Sequence, residues 1–109
     1  MKYNLIFLLS IIFIGCHKNE QLETTTITVK SVVCGMCAKN IEKAVYAIEG
    51  VKGVDVDIEK KIAQIKFVPL QTNIETIETT IANAGYDAND RKRDAGAYEE
   101  LAQCCKIDG

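Results

Sequence analysis

Val33-Cys34-Gly35-Met36-Cys37-Ala38 sits between two patterns of different period. Upstream, Ile27, Val29, Ser31 and Val33 alternate with period two among β-branched residues, which predicts a strand over 24–33. Downstream, Ile41, Val45 and Ile48 recur at helical spacing and predict a helix over 38–49, with Lys39, Glu42, Lys43 and Glu49 mostly off that face. Gly50 follows as the stop, since glycine takes the left-handed conformation at low steric cost. A loop that turns from strand into helix thus carries two thiols separated by two residues. That placement suits two chemistries: holding a soft metal ion, or exchanging a disulfide.

The rest of the chain fills in a sheet and a second helix. Val54-Asp55-Val56-Asp57-Ile58 alternates strictly between apolar and acidic, Glu59-Lys60-Lys61 makes a turn, and Ala63-Gln64-Ile65-Lys66-Phe67 alternates again. This is a hairpin with one buried and one wet face, ended by Pro69. Thr72-Asn73-Ile74-Glu75 fits a capping box, and Ile74, Ile77, Ile81 and Ala84 then recur at helical spacing up to Gly85. Tyr86-Asp87-Ala88 offers a short last strand. The order β-α-β-β-α-β predicts an α+β, ferredoxin-like sandwich, four antiparallel strands with two helices on one face. A further helix over 94–106 would place Tyr98, Leu101 and Cys105 on one side.

Composition narrows the function. With 109 residues, one domain is expected. The formal net charge is −2 and no basic block occurs, which argues against a nucleic-acid partner. The chain has a single histidine, His17, ahead of the first strand, so histidine catalysis and histidine-rich metal sites are excluded from the fold. Trp is absent and aromatics are few, which disfavours an aromatic-lined cofactor pocket. Sulfur is what remains for chemistry.

The first residues form a separate unit. Met1-Lys2 is a short basic start, Leu5 to Ile14 is apolar except for Ser10, and Gly15-Cys16 closes the run. That apolar stretch is shorter than the ~20 residues a membrane-spanning helix needs, and its layout is that of a secretory signal. Ending in Phe13-Ile14-Gly15-Cys16, it resembles a bacterial lipoprotein signal, which implies a signal peptide over 1–15 and lipid attachment at Cys16. The expected organisation is then a tether over 16–23, a folded domain over 24–90, and a helical extension over 91–109. An acylated Cys16 exceeds the two-signal threshold for stable membrane anchoring.

With Cys16 consumed by lipid, four cysteines remain as two close pairs, Cys34/Cys37 and Cys104/Cys105. Neither pair would close a long loop, so neither gains much as a stabilising disulfide. Metal capture or redox exchange explains them better. A thioredoxin-like oxidoreductase needs a β-α unit before the redox strand and a proline on another strand facing the disulfide. Here only a strand and a tether precede Cys34, and Pro69 follows a hairpin strand. Metal binding is the favoured reading, with thiol-disulfide exchange at the same cysteines as the alternative.

Residues 26–88 resemble a heavy-metal-associated domain, the module of copper chaperones, metal-pumping ATPase tails and periplasmic mercury-binding proteins. The resemblance rests on Cys34-x-x-Cys37 after the first strand, the helix from Ile41 to Ile48, Gly50-Val51-x-x-Val54 entering the second strand, and Ala84-Gly85-Tyr86 after the second helix. The family's motif has Gly-Met two and three places before the first cysteine, where this chain has Ser31-Val32. Val32 would take over packing beneath the loop, and Gly35 would supply its mobility. The resemblance implies a non-enzymatic carrier that binds Cu(I), Hg(II) or a similar ion at Cys34 and Cys37. It further implies transfer to a metal transporter or metal-pumping ATPase in the periplasm or cell envelope, by a monomer. Tyr86 would stand behind the metal loop as an outer-shell residue.

Other residues add to this picture. Met36 lies between the thiols and offers a soft thioether to Cu(I), or is a surface residue. Adjacent cysteines on a helix point ~100° apart, so Cys104 and Cys105 do not easily chelate one ion by themselves. One of them can fold back onto Cys34 and Cys37 and complete a three- or four-sulfur site, which would favour Zn(II), Cd(II) or trapped Hg(II). They can equally form a second capture site, a reducing pair, or helix packing. Asp55, Asp57 and Glu59 read as a solvated sheet face, and Arg91-Lys92-Arg93, flanked by Asp90 and Asp94, as a linker.

Overall fold

A computed structural model describes residues 21–106 of the chain. The leader, Cys16 and His17 lie outside the described residues. Three strands, β1 (Glu23–Thr28), β2 (Val51–Asp57) and β3 (Ile62–Phe67), form an antiparallel sheet in the order β1-β3-β2. Ile27 pairs with Ala63, and Val54 with Ile65, so that alternate residues face the helices. Ile27, Ala63, Ile65 and Phe67 are buried, whereas Thr26, Gln64 and Lys66 between them are exposed. A bulge at Lys52 lets Val51 enter the core at the start of β2.

Helix α1 (Gly35–Tyr46) and helix α2 (Ile74–Asn83) pack against one another and share one core with the sheet. Cys37, Ile41 and Val45 of α1 and Ile77 and Ile81 of α2 are fully buried in it. Helix α1 starts three residues earlier than its apolar periodicity predicts. The Cys34 carbonyl accepts from Cys37 N–H at 3.1 Å and Ala38 N–H at 3.2 Å, so the cysteine motif itself forms the first turn. Gly50 and Gly85 both take the expected left-handed backbone, with φ of +100° and +104°.

Several local expectations are corrected. The first strand ends at Thr28; burial still alternates through Val29 and Ser31, then breaks, with Val32 buried and Val33 exposed, because the chain turns at Lys30-Ser31. Val32 lies in the core beneath the loop, as the sequence suggests. The N-cap of α2 is Asn73, whose Oδ1 accepts from Thr76 N–H at 2.8 Å; Thr72 is buried beside it with no partner for its hydroxyl. Ile74, at the open end of α2, is largely exposed.

The fourth strand is absent among the described residues. Tyr86 and Ala88 are buried as a strand would bury them. Alongside β1, however, the segment makes only the Asn89 N–H to Thr28 carbonyl bond of 2.8 Å, and the Asn89 side chain answers Thr28 N–H at 2.8 Å. Asn89 has φ of +52°, and Ala88 bridges back to Arg91, so the chain reverses before a ladder can form. The sheet is three-stranded and the fold α+β.

The reversal delivers the C-terminal extension onto the domain. The extension is not one helix but α3 (Ala95–Glu99) followed by a 3-10 turn (Gln103–Cys105). Asp94 caps α3 through its carboxylate and anchors it by donating its N–H to the Ala82 carbonyl at 2.9 Å. Arg93 is no free linker residue: its backbone N–H and guanidinium both meet Asp87, and its charge lies 3.7 Å from the Tyr98 ring centre. A Cβ on Gly85 would stand 3.1 Å from Tyr98 N and 3.2 Å from Ala97 C, so the bare glycine is what lets α3 approach. Tyr98 and Cys105 are buried and Leu101 partly so, on the side the periodicity indicated.

Candidate metal centre

The site forms where the start of α1 meets the 3-10 turn. Cys34 occupies the N-cap of α1 and Cys37 the first turn, so both lie at the positive end of the helix. Their sulfurs are 3.3 Å apart. The 3-10 turn packs against α1 and brings two more thiols to the same place. Cys34 Sγ is 3.1 Å from Cys104 Sγ and 3.6 Å from Cys105 Sγ, and the latter two are 4.0 Å apart. Among the described residues, Cys34, Cys104 and Cys105 form a group whose sulfurs lie within 4.8 Å of one another and that could hold a metal ion.

The sequence reading has one of the two adjacent cysteines folding back onto Cys34; the 3-10 turn places both sulfurs near it. Burial is graded across the set. Cys37 and Cys105 are buried, Cys34 is partly exposed and Cys104 is exposed, and all four are free thiols.

Electrostatics single out Cys34. Hydrogen bonding with Cys104, reinforced by the Cys37 backbone N–H, lowers its pKa from 9.0 to about 6 against an opposing effect of burial. Cys34 is therefore largely thiolate at neutral pH, and thiolate is the form that ligates. Cys104 is shifted upward chiefly by that same bond with Cys34. Cys105 is shifted upward by burial, then by its hydrogen bond with Cys37, while Tyr86 pulls the other way.

Tyr86 closes the back of the site. Its ring is fully buried, and its hydroxyl accepts from Asn40 Nδ2 at 2.9 Å and hydrogen-bonds with Cys105. Burial raises its pKa, so the phenol stays protonated. Asn40 is a neighbour of the site that sequence reasoning missed; it stands on α1 one turn beyond Cys37. Met36 is half exposed at the protein surface. Lys61, left-handed at φ +56°, extends its ammonium to the Val32 carbonyl at 2.5 Å and fixes the loop from below. The acidic residues of β2 are engaged elsewhere or solvated: Asp57 Oδ1 accepts from Lys60 N–H at 2.9 Å, and Asp55 is exposed.

The direction of the strands also decides where Pro69 lies. Chain β1 runs towards the cysteine loop, and β3, antiparallel to it, runs away. Pro69 follows Phe67, the partner of Glu23, and lines a cavity with Glu23, Thr72 and Ile74 at the opposite end of the sheet from the thiols. It does not face them, as a thioredoxin-like site would require.

Residues 26–87 match the family model of the heavy-metal-associated domain. The mercuric transport protein periplasmic component of Pseudomonas aeruginosa is 31% identical over 67 residues, covering 62% of this chain and 74% of that protein. A copper-exporting P-type ATPase of Staphylococcus aureus is 29% identical over 75 residues, covering 67% of this chain. The chain spans only 9% of that ATPase's length. Among solved structures, oxidized MerP from Ralstonia metallidurans CH34 superposes with a TM-score of 0.61 at 30% identity, covering 63% of this chain and 96% of that one.

Proposed function

From a chain that belongs to the heavy-metal-associated domain family, we propose a soft-metal carrier that takes up Cu(I) or Hg(II) at Cys34 and Cys37. The observation that carries this reading is the pair of sulfurs 3.3 Å apart at the N-terminus of α1. The helix end and the lowered pKa of Cys34 keep a thiolate available, and Cu(I) and Hg(II) accept two soft ligands. Zn(II), which prefers four ligands, would be left with open positions on this pair alone. Because Cys34 is partly exposed, a partner's thiols can enter before the donor's leave. Exchange is then fast although binding is tight, which makes the chain a carrier and not a catalyst.

The names of the relatives suit a partner of the metal-transporter class, such as a copper-exporting ATPase or a mercuric transport system. We place the protein in the cell envelope, as a monomer, with the signal peptide over 1–15, lipid on Cys16, a tether over 16–23, the metal domain over 24–90 and the extension over 91–109. Among the described residues no helix is long and apolar enough to cross a membrane. Tyr86 acts from behind the ligands, through Cys105.

The test is a titration of reduced protein with Cu(I) under competition by bathocuproine, or with Hg(II), alongside an insulin-reduction assay. One tightly bound ion per chain, lost in Cys34→Ser, with no insulin turnover is the expected result. Turnover without stoichiometric uptake would replace the carrier reading with disulfide exchange.

A further inference from the structure

A carrier that used Cys34 and Cys37 alone would treat the two alike. The geometry does not. Cys34 has sulfur neighbours on both sides, at 3.3 Å (Cys37), 3.1 Å (Cys104) and 3.6 Å (Cys105). With zinc–sulfur bonds of ~2.3 Å, sulfurs around one ion lie ~3.8 Å apart in tetrahedral and ~4.0 Å apart in trigonal coordination, against ~4.6 Å in a linear pair, and a larger ion lengthens each spacing while keeping that order. The separations among Cys34, Cys104 and Cys105 are 3.1, 3.6 and 4.0 Å, nearest to the values for three or four sulfurs.

The extension that carries two of these sulfurs is docked, not loose. It is held by Asp94 on Ala82, by α3 on the bare face of Gly85, and by Cys105 within the core.

Resting on the carrier reading above, we propose that Cys34, Cys104 and Cys105 form a three-sulfur retention site for thiophilic divalent ions of the Cd(II) and Hg(II) class, entered through the Cys34–Cys37 pair. An ion held by the thiolates of Cys34 and Cys37 keeps its bond to Cys34. The bond to Cys37 breaks, and bonds to Cys104 and Cys105 form. Of the two thiol protons displaced, one passes to the departing Cys37 thiolate and one to solvent; no electron is transferred. Cys34 is the pivot, and the chain supplies for itself the incoming thiols that a partner would otherwise bring. Release to a partner then requires the extension's sulfurs to be displaced, which makes the protein a holder of divalent ions as well as a conduit.

The experiment loads reduced full-length chain with a Cd(II) salt alone and counts sulfurs per ion by X-ray absorption. It compares wild type with Cys37→Ser, Cys104→Ser and Cys34→Ser, and follows transfer of the ion to excess dithiothreitol. Cys104 is exposed, so its replacement leaves the core intact. Wild type and Cys37→Ser are expected to show three or more sulfurs, Cys104→Ser fewer, and Cys34→Ser no tight ion. Transfer from Cys104→Ser should be roughly tenfold faster or more, since losing a ligand costs at least what losing an outer-shell partner does. Equal, two-sulfur signatures and equal transfer rates in wild type and Cys104→Ser would overturn the retention site while leaving the two-thiol carrier standing. Absence of stoichiometric uptake in every form, with Cu(I) and Hg(II) as well, would instead remove the carrier reading.

Discussion

Replacing Gly85 by alanine tests whether docking of the C-terminal extension assembles the sulfur cluster, without touching any cysteine. Two costs arise. The backbone at φ +104° penalises any side chain, by ~1–2 kcal/mol. The new Cβ would also lie 3.1 Å from Tyr98 N and 3.2 Å from Ala97 C, both backbone atoms that cannot swing aside. Overpacking of that kind costs ~1–3 kcal/mol, and it falls on the contact between α3 and the domain. Gly50→Ala is the control. It bears a similar left-handed penalty at φ +100° and clashes with Gln71, at the end of the sheet remote from the cysteines. The assay is iodoacetamide labelling of Cys105, fully buried in the native chain, read by mass spectrometry beside a thermal melt. If α3 is lifted, the ~1–3 kcal/mol appears as a roughly 5- to 150-fold faster labelling of Cys105 in Gly85→Ala than in Gly50→Ala. Equal rates in the two variants would show that α3 is not held where the geometry puts it.

Four further expectations follow from the site. Cys34 should alkylate before the other thiols, with a rate that rises through about pH 6; a midpoint near 9.0 would mean that Cys104 and the helix end do not stabilise its thiolate. Because this pKa is lowered on folding, the thiolate adds stability above the unfolded value and loses it as pH falls through about 6, so apo-protein melts should drift downward over that window. Tyr86→Phe removes the hydroxyl shared by Asn40 and Cys105 and should weaken binding of Cd(II) by about 10- to 100-fold, while lowering fold stability by only ~1 kcal/mol. An unchanged Cd(II) affinity would reduce Tyr86 to a packing residue. Arg93→Ala deletes the charge over the buried Tyr98 and the contact with Asp87, and should speed Cys105 labelling at least a few-fold, in line with ~0.5–2 kcal/mol for a cation–π pair. An unchanged rate would show that Arg93 takes no part in holding α3.

Most of the fold was legible because it is written in local periods. The alternation of Val54 to Ile58 and Ala63 to Phe67, and the helical spacing of Ile41 and Val45 and of Ile77 and Ile81, each state which face is buried before any partner is known. Gly50 and Gly85 announced their turns because few other residues tolerate φ near +100°. Boundaries were less legible. Whether Thr72 or Asn73 caps α2 depends on which side chain reaches an amide, and Thr72 turned out to be buried. The apparent fourth strand misled because Tyr86 and Ala88 are buried at strand spacing, although the chain reverses at Asn89 before pairing.

The sequence by itself determined that sulfur is the chemistry, and that Cys34 and Cys37 stand at a strand-to-helix loop, since both follow from residues adjacent in the chain. Only the tertiary structure decided that Cys104, seventy positions along, lies 3.1 Å from Cys34. No local pattern encodes that meeting. It depends on a reversal at Asn89, a cap at Asp94 and an absent side chain at Gly85, each set by what the chain touches across space and not by its neighbours in sequence.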